Sequence, residues 1–140
     1  MPFAQVFKRR YVFILLPIAL AFSLYRFMNA PAEQRIVKTV PVNKLATLYI
    51  TEADLGATTR ASYRYYLYAT KSGEAGFLES LKDDSEPFLL TDDANAQIKI
   101  NDGAIHLTVR GNIYSFYNFP SCVSHGAVLS VPVYLDARPQ

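Results

Sequence analysis

Eighteen residues near the N-terminus, Tyr11 to Met28 (YVFILLPIALAFSLYRFM), carry a single charge, at Arg26. As an α-helix at about 1.5 Å per residue this stretch reaches about 27 Å, close to the ~30 Å hydrocarbon core of a bilayer. A helix is the form in which one isolated segment can cross, because its backbone groups bond within the segment. Pro17 is tolerated in such a span. Arg26 can lay its aliphatic stem along lipid and lift the guanidinium to the headgroups, and Tyr11 and Tyr25 stand where interfacial aromatics are favoured.

Lys8, Arg9 and Arg10 precede the span, and residues 1–32 contain no acid, for a net charge of +4. That bias holds the N-terminus in the cytoplasm and sends the C-terminal part across. Ala30-Pro31-Ala32 also has the small-x-small form of a signal-peptide cleavage site. The apolar run is at or beyond the upper end of the usual ~7–15-residue signal core, and Arg26-Phe27-Met28 intervene before that site, so a retained signal anchor is favoured. Residues 33–140 hold ten basic and twelve acidic side chains, net −2. The basic pI of about 8.7 therefore comes from the anchor. This distribution argues against nucleic acid as a partner.

The expected organisation is a cytoplasmic basic tail at 1–10, a transmembrane helix at 11–28 and a linker or stalk at 29–44. A mainly β periplasmic domain with one short helix follows at 45–140, as a β-sandwich or a curled antiparallel sheet. The stalk runs into a candidate first strand near Val37–Val42. The firmest strand signal is Ile98 to Phe119. With Asp102-Gly103 as a two-residue hairpin loop, Ile100 faces Ile105 and Ile98 faces Leu107. With Gly111-Asn112 as a second loop, Val109 faces Tyr114 and Leu107 faces Phe116. This gives a three-stranded meander with one apolar face and a wetter one that carries Lys99, His106 and Tyr117. Further strands are expected at Leu45–Thr51, at Ser62–Thr70 with aromatics on both sides, and at Val128–Leu135, where Pro132 favours an edge. Phe77, Leu78 and Leu81 fall at helical spacing within Glu74–Lys82, and Asp83-Asp84-Ser85-Glu86-Pro87 ends that helix.

Motifs for chemistry are sparse. Cys122 and His125 lie three residues apart in SCVSHG, the residue types of a thiol nucleophile and its base, without a local family signature. The bland reading is a loop Cys beside an exposed or capping His. As the only thiol, Cys122 could also pair between chains in an oxidising compartment. Two histidines cannot fill a three-His zinc site. The acids Asp83, Asp84, Glu86, Asp92 and Asp93 lack the spacing of a calcium loop. No cofactor and no metal site is expected.

The positive signal is tyrosine. Residues 33–140 hold eight Tyr against four Phe, and the chain has no Trp. A Tyr side chain pairs an apolar body with a polar tip, and with Arg it is enriched at interface hot spots. Tyr66, Tyr68 and Tyr117, with Arg64 and Arg110, are the candidate binding face; the alternative is that these tyrosines form a second core layer. In organisation alone the chain resembles small bacterial single-pass envelope proteins. The expected function is non-enzymatic: an inner-membrane-anchored module in contact with the lipid bilayer, with a protein partner or homo-oligomer. The alternatives are a periplasmic immunity-type protein against a toxin and a small thiol-dependent enzyme using Cys122 and His125.

Overall fold

The computed structural model describes residues 3–28, 33–54 and 60–139, with side chains from residue 11 onward. It divides into two compact units, 1–32 and 33–140. The first is the helix α1, Phe3–Met28, which contains Pro17. Every residue from Tyr11 to Met28 is exposed, and the mean hydropathy of that window is 1.8. A helix that is apolar all round and exposed has the character of a membrane anchor or a signal sequence.

The second unit is mainly β, with ten strands and one short α-helix among the described residues. Five strands form an antiparallel sheet in the order β1 (Gln34–Pro41), β2 (Ala46–Ala53), β3 (Ser62–Ala69), β4 (Leu89–Thr91) and β7 (Ile113–Phe116). A second sheet has the order β10 (Val133–Ala137), β6 (Ala104–Val109) and β5 (Gln97–Asn101), and β8 (Ser121–Ser124) pairs with β9 (Ala127–Ser130). The helix α2, Gly73–Ser80, lies between β3 and β4 in sequence.

The two sheets are stitched along one side. After β7 the chain leaves the first sheet, and the amides of Val133 and Val131 donate to the carbonyls of Asn118 (2.9 Å) and Pro120 (3.1 Å). These bonds continue the β8–β9 ladder into β10, while the Ile105 amide donates to the Pro132 carbonyl at 3.0 Å. The result is a curled arrangement in which β1 and β5 each pair on one side only. Leu48, Ile50, Leu67, Phe88, Leu89, Ile105, Leu107, Val109, Val131 and Val133 fill its interior. At about 25 cal/mol per Å² of apolar surface, this burial is the main favourable term for the fold.

The first hairpin has the register read from the sequence, with Ile98 opposite Leu107, Lys99 opposite His106 and Ile100 opposite Ile105. Asp102 (φ 50°) and Gly103 (φ 74°) take the left-handed conformations that a two-residue turn of this kind requires. The third strand of the expected meander does not form. β7 pairs with β4, Leu89 opposite Phe116 and Leu90 opposite Ser115, and β6 instead pairs in parallel with β10. Two carboxylates account for the switch. Asp93 Oδ2 accepts the Arg110 amide (2.7 Å), and Asp92 accepts the amide (2.6 Å) and the side-chain Nδ2 (2.8 Å) of Asn112. The turn is thereby strapped to the β4–β5 connection, and the chain crosses to the other sheet. Gly111 is required there, because a Cβ would overlap Asp92 Oδ1 and come within 2.9 Å of the Asp93 nitrogen. Tyr114, expected inside, is 60% exposed, while Ile113 and Phe116 pack on the core across a register shift at Leu90/Thr91.

Two boundaries also differ from expectation. β1 occupies half of the span read as linker 29–44 and starts three residues before the expected Val37, because Val40 packs on the main core and Ile36 on the opposite face of the sheet. A bulge between Ile36 and Lys38 makes that change of face possible. Residues 29–32 lie outside the described residues. The run Val128–Leu135 divides at Pro132, its first half bonding to β8 and its second to β6.

Candidate functional site

β3 is buried on both faces, which explains its tyrosines. Tyr65 faces the curled interior, and Tyr66 and Tyr68 face α2. Of the α2 residues only Phe77 is fully buried. Its ring stacks on Tyr49 (centroids 4.3 Å apart, planes 7° apart) and meets Tyr66 and Tyr68 edge-on at 5.3 and 5.8 Å. An eight-residue helix is marginal alone, so this cluster is what holds it on the sheet. The expected helix Glu74–Lys82 is thus present, continued by a 3-10 turn at Leu81–Asp83. Asp84 in the left-handed region (φ 56°) turns the chain back, and Ser85 Oγ donates to the Ser80 carbonyl at 2.8 Å.

Between this returning strap and β8 lies a groove of about 380 Å³. Its floor is Tyr66, Phe77 and Leu67; Tyr68, Tyr117, Cys122 and Val123 form walls, and Ser72, Ser85, Glu86 and Ser121 line it with polar groups. Tyr66 is fixed, since its hydroxyl donates to Gln34 Oε1 (2.9 Å), which also accepts from Thr51 Oγ1 (2.7 Å). Tyr117 is half exposed, with its ring edge-on to Phe88 at 6.4 Å. Burial and then the nearby Glu86 carboxylate push its phenol above the ordinary value, so it stays a neutral donor. Glu86 is exposed and forms no ion pair among the described residues.

The structure therefore brings together three of the five candidate binding residues, Tyr66, Tyr68 and Tyr117, and gives them two roles. Tyr66 is 4% exposed and belongs to a second core layer; Tyr68 and Tyr117 offer surface. Arg64 and Arg110 do not line this groove. Arg64 is half-buried on the α2 side of β3, and its Nε has no hydrogen-bond partner among the described residues. Arg110 is exposed at the strapped turn, beside a separate hollow with Asp93, Asn95, Gln97 and Thr108. Phe77 and Glu86 were not in the sequence-derived set. The signal for Phe77 was the strand aromatic on both faces, which requires a cover on each.

Cys122 and His125 stand in different settings. Cys122 is on strand β8 rather than in a loop, 7% exposed within the main core, and burial pushes its thiol up, away from the thiolate that nucleophilic chemistry needs. His125 (φ 52°) and Gly126 (φ 77°) form the two-residue turn of the β8–β9 hairpin, and His125 is exposed. His106 stacks on Tyr134 across the parallel pair, with centroids 4.9 Å apart. Among the described residues no three His, Cys, Asp or Glu side chains are grouped to hold a metal ion. Asp92 and Asp93 serve the β6–β7 turn instead. Compared with known proteins, the chain matches no family model, no curated protein and no solved structure at a significant level.

Proposed function

We propose that the chain is a single-pass protein of the bacterial inner membrane, anchored by Tyr11–Met28, and that its β domain works in the periplasm as a non-enzymatic binding module. The groove beside α2 takes a bulky apolar side chain of a partner polypeptide, flanked by a basic residue. The observation that carries this reading is the pairing of a rigid aromatic floor with an acid at the rim that has no ion pair among the described residues. Tyr68 and Tyr117 supply contact area at low entropic cost and can face a cation with their rings, while Glu86 supplies charge. The basic cluster Lys8-Arg9-Arg10 supports the orientation. Confining the module to the membrane plane raises its effective concentration toward other membrane-bound proteins, so contacts that are weak in solution suffice.

The test is site-specific photocrosslinking in intact cells from a benzophenone residue placed at Tyr117 or Val123. A discrete protein adduct is expected from both positions, and Glu86→Lys should remove it. Lack of an adduct from either position, or one unchanged by Glu86→Lys, would refute the assignment. An adduct to a co-encoded toxin would replace the envelope module with the immunity reading.

A further inference from the structure

Residues 111–135 contain no Asp, Glu, Lys or Arg, in a domain that holds ten basic and twelve acidic side chains. Within this run the β8–β9 hairpin leaves one edge open. The two-residue turn His125-Gly126 makes Ser124 and Ala127 a hydrogen-bonded pair, and the Val131 amide on the Pro120 carbonyl (3.1 Å) keeps the same phase. Val123–Val128 and Ser121–Ser130 are therefore the pairs without mutual backbone bonds. It follows that the N–H and C=O groups of Val128 and Ser130 point away from β8. Both residues are exposed, and Val128, at 71%, is the most open large apolar side chain among the described residues of the β domain. An edge of this kind is a template for another strand.

The other strands that pair on one side are guarded against their own copies. β1 has a bulge at Ile36/Lys38, the cation Lys38 just past it and Pro41 at its end. Lys99 is the central residue of β5, so a centred antiparallel pair of two β5 strands would set one ammonium against the other. Asp136 lies in β10, and on β7 the Tyr114 hydroxyl donates to the Asp92 carboxylate at 3.4 Å. The second edge of β8 lies toward β3. β9 (AVLS) carries no charge, no proline and no bulge, so two antiparallel copies of it meet no like charge.

We propose that β9 is a self-association edge: two copies of the chain pair antiparallel through β9 about a two-fold axis, with Val128 opposite Val128 of the second copy. The Val128 amide of each copy donates to the Val128 carbonyl of the other, and the two side chains lie next to one another on the outer face. Four residues make a small interface, and confinement of the copies to one membrane plane supplies the effective concentration that it needs. In that respect the proposal rests on the anchor reading; it does not depend on what occupies the tyrosine groove.

The test uses the full chain with Cys122→Ala and Asp136→Cys, labelled in two populations with donor and acceptor dyes, reconstituted into liposomes and floated. Energy transfer above that of randomly placed labels is expected in the floated fraction, and excess unlabelled chain should abolish it. Val128→Pro removes the outward donor and no bond to β8, and Val128→Lys sets two cations opposite one another. Each should raise the protein-to-lipid ratio at half transfer about tenfold. Val123→Lys, on the same outer face but on β8, should leave the curve in place. With Cys122→Ala alone as background, Val128→Cys should give a disulfide-linked dimer under mild oxidation, and Val123→Cys should not. Random-level transfer in chain that floats, a curve unmoved by both Val128 substitutions, or one moved equally by Val123→Lys would overturn the pairing and leave the anchor intact. Chain that does not float with the liposomes would refute the anchor reading and this proposal with it.

Discussion

Phe77→Ala is the substitution whose cost the geometry specifies best. The ring is completely buried and meets three tyrosines, one stacked at 4.3 Å and two edge-on at 5.3 and 5.8 Å. Truncating a buried Phe costs about 3–5 kcal/mol through lost transfer energy and the cavity left behind. Each favourable ring pair adds about 0.5–1.5 kcal/mol beyond area, which places this site near 4–5 kcal/mol. For a domain of this size that corresponds to a fall in Tm of roughly 15–20 °C. Phe77→Leu keeps apolar volume and loses the ring pairs, so its cost should be about 1–2 kcal/mol. The assay is thermal unfolding of the full chain in nanodiscs, followed by the tyrosine near-ultraviolet signal, together with amide hydrogen exchange. If α2 detaches before the domain melts, the amides at the end of α2 should lose protection by about a thousandfold while those of β6 keep theirs. A fall in Tm below about 4 °C with unchanged exchange in α2 would show that Phe77 does not hold the helix, and the groove would lose its floor.

Four further outcomes follow from the same contacts. Gly111→Ala should destabilise by about 1–3 kcal/mol, because the new Cβ meets the Asp92 carboxylate and the Asp93 backbone; an unchanged Tm would mean that the strapped turn is not as described. The Asn112 side-chain and amide hydrogen bonds hold the Asp92 carboxyl below the usual range. A folded pKa below the unfolded one contributes stability that is present above about pH 4 and is lost as pH falls through the folded value. The stability gap between the native chain and Asp92→Ala should therefore be full above about pH 4 and narrow as pH falls from there through the folded value; a gap independent of pH would contradict the clamp. Cys122 should react with a maleimide only after denaturation, and fast labelling of the native protein would refute its burial. Val123→Thr, at an exposed position 65% open to solvent, should change stability by less than about 0.5 kcal/mol and be read out by the same melt.

Local pattern was legible in the sequence and long-range exchange of partners was not. The β5–β6 register followed from one turn and one alternation, since a slip of one residue would have put Ile98 and Ile100 in water. The departure of β7 to β4 depends on Asp92 and Asp93 reaching residues 17–20 positions away, which no window of periodicity contains. Pro132 was read as an edge signal. It marks the point where one extended run changes partner from β8 to β6, which the missing amide alone does not reveal. His125-Gly126 between SCVS and AVLS was a readable turn, and it would have placed Cys122 on a strand. The tyrosines carried the most ambiguous signal. An aromatic on each side of β3 fits a contact face or two cores, and only the position of Phe77 makes Tyr66 structural while Tyr68 and Tyr117 remain available.

The proposed function requires a retained anchor with the β domain on the far side of the membrane. The most direct measurement combines the intact mass of the mature chain with thiol labelling of Asp136→Cys in a Cys122→Ala background, using a reagent that enters the periplasm and does not cross the inner membrane. An unprocessed N-terminus and full labelling in intact cells are predicted. A mature chain that begins near Glu33, or labelling only after the inner membrane is permeabilised, would contradict the account.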